Sequence, residues 1–81
     1  MRTRFTVTDL RAIVARENKR NPLTEKNGYG NFDRYTVSCA YGGYAVHELI
    51  PGCTGCYDRT YGHQSAREAA NRFYEYLVSI R

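Results

Sequence analysis

The chain has 81 residues, 42% of them hydrophobic and 25% charged, with 12 Lys plus Arg against 8 Asp plus Glu. At this length one small domain is expected over 1–81, with no room for a second domain or a cofactor-binding fold. Eight tyrosines and three phenylalanines argue against a disordered chain, no apolar run approaches the roughly 20 residues that span a bilayer, and a formal net charge of +4 fits a partner that carries negative charge.

The first element is a helix. Leu10, Ile13 and Val14 recur at i, i+3 and i+4, one apolar stripe. Thr6 or Thr8 is placed to cap it, and Asp9 puts negative charge in the first turn, where the helix dipole favours it. Arg11, Arg16, Lys19 and Arg20 fall largely off the stripe, and Asn21-Pro22 stops the helix. Leu23 to Asn31 reads as a polar loop, with Asn27-Gly28-Tyr29-Gly30-Asn31 supplying residues that tolerate positive φ.

A strand follows, about Phe32 to Tyr41, in which Tyr35, Val37, Cys39 and Tyr41 alternate with Arg34, Thr36, Ser38 and Ala40. Gly42-Gly43 reads as the hairpin turn and Tyr44 to Ile50 as the return strand. Two registers compete. A two-residue turn sets Val46 opposite Cys39 and points Glu48 at the core. A three-residue turn with a glycine bulge points Ala45, His47 and Leu49 inward, and it is preferred because a lone buried Glu costs more than a neutral His.

Pro51 ends that ladder, Thr54-Gly55 reads as a turn, and a third strand is expected over about Cys56 to Tyr61. Ser65-Ala66-Arg67-Glu68 is a capping box, and Ala66, Ala69, Ala70, Phe73, Leu77 and Ile80 continue at helical spacing. The expected fold class is α+β: a single α-β-β-β-α domain with a three-stranded antiparallel sheet and both helices packed on one face. The other face is expected to stay open, with Arg34, Thr36 and Ser38 on it.

Three cysteines are an odd set, and Met1 to Thr8 has no apolar segment of a secretory signal, so free thiols in a cytoplasmic setting are expected. The Cys53-x-x-Cys56 pair is the sharpest local motif. Zinc needs two further ligands from Cys39, His47 and His63, but the hairpin reading sets His47 roughly 20 Å from Cys53, at ~3.3 Å per residue, with Cys39 at that same end and His63 far along its own strand. Hence no metal and no cofactor is expected, and whether Cys53 and Cys56 join in a disulfide stays open. There is no G-x-S-x-G elbow, paired-carboxylate motif, P-loop or G-x-G-x-x-G. No catalytic residue is assigned and no enzymatic activity is expected.

Tyrosine is the stronger signal, because it supplies large contact area with a polar tip at low entropic cost. Tyr41, Tyr44, Tyr57 and Tyr61, with Arg34 and Arg59 near them in sequence, are the candidate binding residues. Aromatic residues beside Arg suit protein recognition and also suit stacking on single-stranded bases.

By topology the α-β-β-β-α order resembles the double-stranded-RNA-binding domain over nearly the whole chain. That family holds phosphates with a basic cluster at the start of its last helix. The matching segment Gln64-Ser65-Ala66-Arg67-Glu68-Ala69-Ala70 carries one Arg and an adjacent Glu. In build, the segments Arg34-Tyr35-Thr36-Val37-Ser38, Gly42-Gly43 and Ser65 to Ala70 resemble small phage-borne proteins of the anti-CRISPR kind. That resemblance implies a non-enzymatic phage or mobile-element inhibitor in the host bacterial cytoplasm, occluding a Cas protein or another defence nucleoprotein complex. The alternative is a small nucleic-acid-binding module using the basic first helix and the open sheet face.

Overall fold

A computed structural model describes residues 4–53 and 55–81; the first three residues and Thr54, and with Thr54 the expected Thr54-Gly55 turn, lie outside that set. The element order is α1 (Val7–Arg20), β1 (Tyr35–Ala40), β2 (Gly43–Leu49), β3 (Cys56–Asp58) and α2 (Ala66–Ser79). The strands form one antiparallel sheet in the order β1-β2-β3. This is the single α+β domain that the pattern of the chain predicts.

Both helix starts are set by local chemistry. The Thr6 N–H donates to the Asp9 carboxylate at 2.8 Å, so the first turn closes on its own acid. At α2, Ser65 Oγ accepts from the Glu68 N–H at 3.2 Å. The Glu68 carboxylate turns to Arg72, 3.7 Å away at i, i+4.

Leu10 and Val14 of α1, Tyr35 and Val46 of the sheet, and Ala66, Ala69, Ala70, Phe73 and Leu77 of α2 form one buried cluster. The three alanines let α2 approach closely, and Phe73 meets the Tyr35 ring edge-on at 4.9 Å between centroids. Val37 and Tyr44 border the cluster. Because side chains alternate along a strand, these contacts fix the core face as Tyr35, Val37, Tyr44, Val46 and Glu48.

The hairpin differs from the preferred register. Cys39 pairs with Tyr44 and Ala40 with Gly43, so the turn is Tyr41-Gly42, one residue earlier than expected. Both turn residues have left-handed backbone, with φ of 54° and 72°, the pattern of a type I′ turn. Gly43 is therefore in the strand. A Cβ built on it would stand 3.0 Å from the backbone N and O of Gln64. The Gln64 N–H and C=O each bond to Tyr44, which ties the hairpin to the segment before α2.

That register turns Ala45, His47 and Leu49 to the outer face and Glu48 to the core side, reversing the expectation. Glu48 is not alone there. Its Oε1 accepts from Arg59 Nε at 2.9 Å and from the Tyr76 hydroxyl at 2.7 Å, and its Oε2 lies 3.7 Å from Arg34 Nη1. A carboxylate with three such partners is tolerable in a half-buried site where an unpaired one is not.

β3 ends at Asp58, not Tyr61, because Asp58 folds the chain back. Its carboxylate accepts from the Thr60 N–H, the Thr60 hydroxyl and the Gly62 N–H at 2.7 to 2.9 Å. The outer face is also less open than expected, since Ala45 and Leu49 are buried on it. Among the described residues no helix is long and apolar enough to cross a membrane.

Candidate functional site

The six candidate binding residues separate into two groups. Arg34 and Arg59 turn inward to Glu48. Arg34 also donates to the carbonyls of Asn21 and Pro22, pinning the end of α1 to the start of β1. Arg59 lies between the rings of Tyr57 and Tyr76, 4.9 and 4.8 Å from their centroids. Burial alone would lower the pKa of Arg59, but the Glu48 hydrogen bond and charge outweigh it and raise it. Both arginines thus hold the fold together.

Tyr44 is half-buried against the core. Tyr41, Tyr57 and Tyr61 project into solvent, with 99%, 55% and 83% of their surface accessible. Tyr41 is at the first turn position of the hairpin. Tyr61 stands at the apex of the Asp58-to-Gly62 loop, also in left-handed backbone at φ 60°. The Arg72 guanidinium lies over its ring at 5.8 Å.

His63 connects these loops to the outer sheet face. Its Nε2 lies 3.1 Å from Ser38 Oγ, and its ring meets those of Tyr41 and His47 edge-on, each at 6.0 Å between centroids. No local pattern announces this, because Ser38 is 25 residues away in sequence. His47 Nδ1 in turn lies 3.5 Å from Cys56 Sγ. The 20 Å estimate measured His47 against Cys53 along the chain; antiparallel pairing of Cys56 with Leu49 brings Cys56 back beside His47.

The outer face therefore carries a polar row, Ser38, His63, His47 and Cys56, flanked by Tyr41. Asp58 is opposite His47 in the register, but its oxygens are engaged by Thr60 and Gly62. Those bonds and the nearby His47 hold the Asp58 pKa below the usual carboxylate value, against the opposing effect of burial, the largest single influence. Cys39, Cys53 and Cys56 are free, exposed thiols. Among the described residues no group of three or more His, Cys, Asp or Glu side chains is gathered to hold a metal ion.

Comparison of the chain with protein-family models, with curated proteins and with solved structures finds no match.

Proposed function

We propose that the protein is a non-enzymatic binding module that docks onto another protein through Tyr41 and Tyr61. The observation that supports it is the coincidence of exposure and backbone strain. Each of Tyr41 and Tyr61 has a positive φ, and each is more than four-fifths exposed. A left-handed backbone costs a non-glycine residue roughly 1–2 kcal/mol. Within the fold the two rings have only peripheral contacts, Arg72 over Tyr61 at 5.8 Å and His63 edge-on to Tyr41 at 6.0 Å, whereas rigid exposed tyrosines are common anchors of protein interfaces.

The outer-face row supports a binding role more than a catalytic one. Ser38 with His63 and Cys56 with His47 are nucleophile-and-base pairs, and such a pair is most effective when a third group orients the imidazole. Asp58, the nearest candidate, is committed to its own loop. The narrower form of the proposal is occlusion of a bacterial CRISPR-Cas complex or related defence nucleoprotein, the class that the resemblance to phage-borne inhibitors implies.

The test is capture from nuclease-treated bacterial lysate, followed by affinity measurement with the purified partner. The expected result is a protein partner that survives nuclease and is bound at least 30-fold more weakly, about 2 kcal/mol, by Tyr41→Asn with Tyr61→Ala. Unchanged affinity in that variant, or loss of every partner with nuclease, would remove the proposal. Identification of the partner as a Cas protein tests the narrower form.

A further inference from the structure

The solvent side of α1 carries a second surface, made of residues other than the tyrosines. From Arg11 to the end of the helix, Arg11, Ala12, Ala15, Arg16, Lys19 and Arg20 are exposed. They form two adjacent i, i+4 rows, 11-15-19 and 12-16-20, so four cations and two alanines make one continuous stripe. At 1.5 Å per residue the stripe is about 14 Å long.

No acid interrupts it. The two carboxylates of α1 are withdrawn: Asp9 closes the N-terminal turn on Thr6, and Glu17 is buried, 3.2 Å from Arg81. Arg34, Arg59, Arg72 and Arg81 each have a carboxylate partner. Among the described residues none of the four stripe cations does; Arg11 reaches only Cys39 Sγ, at 3.9 Å. Lys19 and Arg20 gain from the helix C-terminal dipole, but Arg11 and Arg16 do not, and like charges at i, i+3 and i, i+4 disfavour the helix. The stripe is therefore not explained by the stability of α1.

We infer that this stripe binds the sugar-phosphate backbone of nucleic acid, without regard to sequence. Three kinds of anionic partner are conceivable, and composition separates them. A protein interface needs aromatic or aliphatic anchors at its centre, and a membrane-surface helix needs Trp, Phe or Leu to enter the lipid. Between its cations the stripe has only alanine; the exposed Phe32 and Asp33 lie at its edge, lining a pocket with Ala15 and Lys19, and not at its centre. Phosphate backbones need cations alone, and short alanines let the helix approach them closely.

The experiment uses the full chain and fluorescence anisotropy with mixed-sequence DNA and RNA duplexes and the matching single strands, at 50 and 200 mM salt. Polyglutamate and phosphatidylserine vesicles are the competing probes. Nucleic acid of more than one sequence should bind, with affinity falling about 100-fold between the two salts if four phosphates are neutralised. The variant R11Q/R16Q/K19Q/R20Q should lose that salt dependence while melting as the parent does. R16Q alone should lower the log-log slope by about 0.9. Tyr41→Asn should leave the slope unchanged, which separates failure here from failure of the tyrosine docking surface. Absence of nucleic-acid binding at 50 mM salt, preference for polyglutamate or vesicles, or an unaltered slope in both charge variants would overturn the inference.

Discussion

The Tyr76 hydroxyl donates a 2.7 Å hydrogen bond to Glu48 Oε1, joining the middle strand to the last helix at the edge of the core. The Arg59 guanidinium reaches the same oxygen and lies against the Tyr76 ring. One carboxylate therefore connects β2, α2 and the loop that carries Tyr61.

Replacing Glu48 by Ala would leave the Tyr76 hydroxyl and the Arg59 guanidinium without their shared acceptor and would remove the ion pair of Arg34, which keeps the Asn21 and Pro22 carbonyls. Lost hydrogen bonds to a charged group cost about 1.5–3 kcal/mol each in buried settings, and solvent can still reach part of this site. A destabilisation of about 2 kcal/mol is expected in urea unfolding. A neutral outcome would mean that the carboxylate only decorates the sheet.

Phe73→Ala should cost about 3–5 kcal/mol, and Leu77→Ala about 2–5 kcal/mol, because both are fully or nearly fully buried between α2 and the sheet. That is a large part of the stability of a domain this size. Thermal melts of the two variants check it; parental melting would contradict the packing of α2.

The sheet should weaken in alkali. Burial first, then the Glu48 charge, raises the pKa of Tyr35; burial and the Glu48 hydrogen bond raise that of Tyr76. The folded chain thus keeps protons that the unfolded chain releases near pH 10. Their contribution is complete below about pH 10 and declines as pH rises from there toward the folded values. Denaturation at about pH 8 and about pH 11 should show the loss, and Tyr35→Phe should reduce it. An equal alkaline decline in Tyr35→Phe would assign the effect to other groups.

Tyr41→Asn should leave the fold intact and raise its stability by about 0.5–1 kcal/mol, since Asn followed by Gly suits a type I′ turn and tolerates positive φ. A clear drop in melting temperature would show that the exposed ring supports the hairpin and weaken the case for its use in docking.

The helices were legible because their information is local: the Thr6–Asp9 and Ser65–Glu68 starts and the apolar spacing all fall within a few turns. The order of strands was legible for the same reason. The hairpin register was not. Gly42-Gly43 looks like a turn, but Gly43 is required where β2 meets Gln64, and that contact cannot be seen from neighbouring residues. Likewise, an inward Glu48 is penalised when read alone, and its partners arrive from 11 to 28 positions away. Long-range pairing likewise turned Arg34 and Arg59 to Glu48 and placed His63 beside Tyr41.

The absence of a side chain at Gly43 has a practical outcome for anyone moving this surface to another scaffold. Any larger residue there would wedge the hairpin from the Gln64 backbone, and with it separate Tyr41 from His63 and the Tyr61 loop. The hairpin is thus not a transferable unit. A graft that keeps the spatial relation of the tyrosines must include 35–65 as one piece, with glycine retained at 43.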